Sequence, residues 1–204
     1  GTFNGTTLQT IIRQTATARK VMVTREFRTV PSITPIQFRN INPRSHNYLI
    51  ITHPSLQKPA GGQSDPVRAY ASYRASEAGG KYDTLTVQIF QLYDQFNYGE
   101  SSPLAIRRFL DFMLRKGDPK SVFLIGQSRD PQGLRFNPNR TNIDMIPSSG
   151  WPGSDITLTM GLNGKGTFEP AIPIGRLQTN SPQTVLDYLA KVKEHESNPM
   201  SDLW

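Results

Sequence analysis

Tyr48-Leu49-Ile50-Ile51-Thr52-His53 is an unbroken apolar run ended by polar residues, and Val122-Phe123-Leu124-Ile125-Gly126 repeats the pattern. Neither run alternates apolar with polar side chains. Each therefore reads as a strand covered on both faces, as in a parallel sheet. Between them the sequence predicts another strand over 85–90 and two helices with the same opening. Asp65-Pro66 sets an acidic cap before a proline at the first helical position, where the missing N–H costs nothing. Val67, Tyr70, Ala71 and Arg74 mark one face of that helix, and Gly79-Gly80 stops it. Ser102-Pro103 opens the second helix, with Ile106, Phe109, Leu110, Met113 and Leu114 at helical spacing. Arg115 and Lys116 complement the negative end of its dipole, and Gly117 closes it.

Further along, a long loop is predicted over 127–154, then strands over 156–160 and 171–175 separated by the glycine-rich turn 161–166. Ser181-Pro182 opens a third helix in the same manner, with Val185, Leu186, Leu189 and Val192 on one face. Repeated strand–helix units define an α/β fold, a doubly wound and mostly parallel sheet spanning 46–204. In such sheets ligands gather beyond the carboxyl ends of the strands. Those ends fall at His53-Pro54, at 91–94 and at 126–130.

Residues 1–45 read differently. Short β-branched stretches such as Val21-Met22-Val23-Thr24 and Phe27-Arg28-Thr29-Val30 are punctuated by Pro31, Pro35 and Pro43, as in a short β-rich arm with edge strands or the end of a preceding domain. The arm also holds most of the basicity: Arg13, Arg19, Lys20, Arg25, Arg28, Arg39 and Arg44 stand against the single acid Glu26, while the whole chain carries +7. Such an arm could contact an anionic surface or partner. With only Phe3, Phe27 and Phe38 to stack on bases, nucleic acid is an unlikely partner.

The composition narrows the chemistry. The 204 residues include 16 Gly and 16 Pro, which excludes a long coiled coil. No run approaches the ~20 apolar residues of a membrane-spanning helix. Cysteine is absent, so these residues supply no disulfide, thiolate metal site or cysteine nucleophile. Phosphate-loop, dinucleotide and nucleophile-elbow motifs fail on residue type or position; Gly126-Gln127-Ser128-Arg129-Asp130 lacks the second glycine of an elbow. Of the histidines, His46 and His195 offer no catalytic partner, and His195 lies between Glu194 and Glu196 on a polar helix end. His53, at the end of a buried strand, is a candidate for the wall of a cleft. Asp130 and Asp155 are the candidate oxygen ligands for a hard cation.

Several motifs occur together in a fixed order. Tyr48-Leu49-Ile50-Ile51-Thr52 is followed by Tyr93-x-x-Phe96-x-x-Gly99 and Pro103-x-Ala105-Ile106-Arg107-x-Phe109-Leu110. Val122-Phe123-Leu124-Ile125-Gly126, Ser154-Asp155 and Ile172-Pro173-Ile174-Gly175-Arg176-Leu177 complete the set. The set resembles the gingipain-type cysteine peptidases of Bacteroidetes, with most likeness to members associated with type IX secretion that remove sorting signals. The resemblance covers roughly 48–204. It implies a caspase-like fold of two α/β subdomains, of which this chain matches the first, with Arg176 joining His53 as a cleft-wall residue. The catalytic His-Gly and Cys of the family have no counterparts here, so the resemblance implies a non-catalytic first subdomain. Its partner would be a Cys/His subdomain beyond residue 204, and its parent's substrate a protein or peptide. It further implies an extracellular or outer-membrane location and possible stabilisation by calcium, with no cofactor required. The alternative from the residues alone is a non-enzymatic α/β interaction or adhesion module with a basic arm.

Overall fold

A computed structural model describes residues 2–12, 16–18, 20–22, 24, 26, 29, 33–134 and 143–198. Two compact units emerge, Gly1–Pro35 and Ile36–Trp204. In the first, β1 (Thr2–Phe3) and β2 (Leu8–Gln9) pair antiparallel, with Asn4 closing the turn by accepting from the amides of Thr6 and Thr7. The strands expected around 21–30 lie largely outside the described residues, as does Trp204.

The second unit holds β3 (Tyr48–Thr52), β4 (Thr84–Gln88), β5 (Ser121–Ile125) and β6 (Ile174–Leu177) in one sheet of order β4-β3-β5-β6. All three pairings are parallel, Tyr48 lying opposite both Thr84 and Ser121, and Val122 opposite Ile174. The helices are α1 (Pro66–Ala75), α2 (Ile89–Asn97), α3 (Pro103–Lys116), the single turn α4 (Pro131–Leu134) and α5 (Pro182–Ser197). This is the expected α/β class. Leu49, Ile50, Ile51 and Thr52 are fully buried, so both faces of the central strand are covered. Phe123 meets Tyr70 of α1 and Tyr188 of α5, while α2 and α3 join through Phe96 and Phe109. Arg74 fastens α1 to α5: its guanidinium lies 5.4 Å from the Tyr70 ring and reaches Glu196 at 2.6 Å. Among the described residues, no helix is long and apolar enough to cross a membrane.

Three local expectations need correction. The strand predicted over 85–90 stops at Gln88, and α2 begins at once, because Gln91 reaches back to accept from the Gln88 amide and caps the helix. Residues 156–160 are not a strand. Ile156–Leu158 is a 3₁₀ turn, in which the hydroxyls of Thr157 and Thr159 donate to the carbonyls of Ser154 and Ile156. The strand predicted over 171–175 starts instead at Ile174, after Pro173, whose carbonyl accepts from Val122 before the ladder proper begins.

Residues 36–45, read with the arm from sequence, pack onto the sheet unit. The Arg39 guanidinium donates to Thr86 O at 2.7 Å, and Gln95 exchanges hydrogen bonds with the Arg39 backbone. Ile41 and Pro43 are buried. A cation thus covers the outer edge of β4, a common guard against edge pairing. Gly117 is required by this packing rather than by a left-handed backbone, since a Cβ there would lie 2.3 Å from Pro43 O.

The three proline openings are not equivalent. Asp65 and Ser102 accept from backbone amides in the first turns of α1 and α3, whereas Ser181 makes no such bond and is itself held by Thr179. Ser102→Ala should therefore cost about 1 kcal/mol. Ser181→Ala should stay within about 0.5 kcal/mol of wild type. Denaturant midpoints of the two variants check the difference.

Candidate functional site

In the order β4-β3-β5-β6 the chain reverses direction of winding between β3 and β5, and the crevice beyond their carboxyl ends is where such sheets bind ligands. Here that crevice is filled by the protein itself. Thr52, fully buried, donates its hydroxyl to Ile125 O at 3.2 Å and bridges the two strand ends. Ile146 and Met145 lie over Gly126, where a Cβ would approach Ile146 carbons at 3.1 Å. Both are buried, and their amides donate to Gln127 O.

His53 follows β3 as the cap of a 3₁₀ turn, Pro54–Gln57. Its Nδ1 accepts from the Ser55 amide at 3.2 Å and contacts Ser55 Oγ at 2.7 Å. An acceptor at Nδ1 puts the proton of the neutral ring on Nε2. Among the described residues no carboxylate orients the ring, which rests edge-on against Phe90. Burial holds the imidazole below its usual range, and the positive charge of Lys58 adds to the effect. Beside it a polar chain runs from Gln88 to Gln57 to Asp65, the cap of α1.

Arg176 projects from β6 into a set of four acceptors. Nε and Nη2 donate to the two oxygens of Asp155 at 2.7 Å each, and Nη1 donates to Gly126 O at 2.8 Å and Ile146 O at 2.9 Å. The Arg176 side chain is 9% exposed. The sequence singled out Arg176 and Asp155 for separate tasks, and the structure makes them partners. With both oxygens engaged, Asp155 has little to offer a cation that takes six to eight oxygens. Asp130 is exposed in the loop after β5, and among the described residues no three His, Cys, Asp or Glu side chains gather as a metal site.

One residue at this rim, Asp144, escaped the sequence reading. Asp144 accepts from the Arg129 amide at 3.1 Å, and burial raises its carboxyl above the ordinary value against the pull of that bond and of Arg176. Tyr93 is pushed up to about 12, chiefly by burial. Tyr93 opens the motif Tyr93-x-x-Phe96-x-x-Gly99 and is buried with Ile89 and Leu92 on one face of α2. Asp144, in an irregular loop, carries no such signal. None of these groups forms a nucleophile–base pair.

The chain matches Peptidase family C25 over residues 41–204. It belongs to that family, the family of the gingipains, and its second unit is a C25 cysteine-peptidase-type domain. No curated protein and no solved structure matches the chain.

Removing the Arg176 clamp should be costly. Arg176→Met strands a half-buried carboxylate and two carbonyls, an expected loss of about 3–5 kcal/mol. Arg176→Lys keeps the charge but not the fork, and should recover only part of this. Urea unfolding measures both, and a loss under about 0.5 kcal/mol in Arg176→Met would deny the clamp its structural role.

His53 makes stability pH-dependent in a defined direction. The unfolded ring takes up a proton near pH 6.5, while the folded ring resists until lower pH. Stability is therefore full above about pH 6.5 and is lost as the pH falls toward the folded value. His53→Asn keeps an acceptor for the Ser55 amide and removes this contribution. His46, lowered by burial and then by Arg39, retains its own share. Thermal melts between pH 7.5 and 5 should fall less steeply for the variant.

Proposed function

We propose that this chain is the non-catalytic first α/β subdomain of a secreted, gingipain-like cysteine endopeptidase. The observation that carries this reading is the absence of cysteine from a member of Peptidase family C25. A thiolate nucleophile activated by a histidine is needed for covalent peptide-bond cleavage by this chemistry. In the parent it would come from a Cys/His subdomain outside these 204 residues. The filled crevice between β3 and β5 supports the same reading, because Arg176 is engaged in holding the long loop rather than left available to a substrate. The subdomain would form a rigid support beside the catalytic half, with the rim around His53 facing the protein or peptide substrate.

The test is reconstitution. The purified chain should hydrolyse no peptide above background. When mixed with a separately produced Cys/His subdomain of a C25 peptidase, it should form a complex and raise that subdomain's peptidase activity or thermal stability. Turnover by the chain alone, abolished by His53→Ala, would overturn the proposal. So would indifference of the catalytic subdomain to the added chain.

A further inference from the structure

A second groove lies away from the strand ends, between α3 and the turn at Leu162–Lys165. It has a volume of about 500 Å³, and its lining includes Leu104, Arg107, Arg108, Arg115, Asn163 and Gly164. Asp111 also borders it and is paired with Arg115 at 2.9 Å. Arg107 and Arg108 have no acidic partner among the described residues. Arg107 Nη1 donates to Thr157 O at 3.2 Å and Met160 O at 2.6 Å. Arg108 Nη1 donates to Phe96 O at 3.0 Å and Asn97 Oδ1 at 2.7 Å. All four acceptors are neutral.

An arginine carries five N–H donors, and the Nε/Nη2 edge is the one that grips a carboxylate side-on. Arg176 uses that edge on Asp155. In Arg107 and Arg108 it meets no protein acceptor among the described residues, so both guanidiniums are anchored through Nη1 with the fork in reserve. The opposite wall adds a second anion-seeking element. Asn163 and Gly164 are consecutive residues of positive φ, 52° and 78°, and neither amide donates to a backbone or side-chain acceptor among the described residues. Successive amides in such a turn form a concavity suited to an anion.

We propose that this groove binds an acidic peptide segment through its carboxylates. Arg107 and Arg115 are eight residues apart, roughly 12 Å along the helix axis. That span exceeds a single small oxyanion and suits two or more acidic side chains. Leu104, partly exposed at one end, gives an apolar contact that a peptide can use and a phosphodiester backbone cannot. Single-stranded nucleic acid would also want a run of stacking rings. The groove offers none, and Tyr98 lies only behind Arg108, whose guanidinium is 6.0 Å from its ring. The site is separate from the rim around His53 and does not depend on the peptidase reading.

Fluorescence anisotropy with a labelled Glu/Leu peptide tests the proposal, with the Gln/Leu peptide and an oligothymidylate of equal charge as comparators. The acidic peptide should bind saturably and more weakly as salt rises, and the Gln/Leu peptide should not bind. Arg108→Gln should weaken binding by about tenfold, as expected for one charge-assisted fork. Asn163→Asp, a residue that tolerates the left-handed turn, should do so by placing a like charge in the groove. The melting temperature of Asn163→Asp should match wild type, which separates lost binding from lost folding, whereas Arg108→Gln also gives up its bonds to Phe96 O and the buried Asn97 and should melt lower. Unchanged affinity in both variants would assign the peptide to the basic arm and overturn the proposal. Absence of binding, or tighter binding of the oligothymidylate, would overturn it as well.

Discussion

The guanidinium of Arg176 ties the β5–β6 ladder to the irregular connection between those two strands. It belongs to the last strand, it takes the carbonyl of Gly126 at the end of β5, and it takes Ile146 and Asp155 from the long connection between them. That connection, 126–173, contains no strand in the described residues and only brief helical turns, so it cannot be fixed by a ladder. A planar group with five donors can satisfy four acceptors converging from different directions, which an ammonium cannot do. The placement of Ile146 over Gly126, and with it the closure of the crevice, is held by this side chain together with the bonds from the Met145 and Ile146 amides to Gln127 O. Desolvation of the ion pair is offset because nearly every donor and acceptor in it is matched.

Much of this architecture could be read from residue order. β3 and β5 are apolar throughout because both faces are covered, and no other element produces such runs at that length. α3 was legible from its proline opening and the spacing of Ile106, Phe109, Leu110 and Met113, all of which are buried. α2 was not, because Ile89 and Phe90 favour strands and the cap is a glutamine rather than Ser, Asp or Thr. The turn at Ile156–Leu158 was misread for a related reason. Its threonines are β-formers by propensity, yet here their hydroxyls bond to carbonyls three residues back. In each case a side-chain hydrogen bond outweighed a propensity worth a few tenths of a kilocalorie per mole.

The rim was less legible than the fold. His53 and Arg176 were singled out as cleft-wall residues, but residue type cannot reveal whether a polar side chain faces a ligand or another part of the chain. An arginine inside a half-buried four-residue strand is a signal that an acid must be near. Nothing in the sequence says that the acid is Asp155 rather than Asp144, since both come from one irregular loop. Membership of Peptidase family C25 sharpens the point. The match covers the α/β scaffold, and these residues contain no cysteine.

The strand order has a consequence for how the chain reaches this state. Tyr48 finds its neighbours at Thr84 and Ser121, and Val122 finds its own only at Ile174. Each parallel pairing closes a loop of dozens of residues before any ladder bond can form, an entropic debt that local hairpins never incur. Chains of this contact order fold slowly. Because β6 follows the other three strands in the chain and pairs, among the described residues, with β5 alone, the three-stranded β4-β3-β5 core can assemble before it. Until Arg176 arrives, β5 then presents a bare, apolar margin to the cell's chaperones and to its own copies.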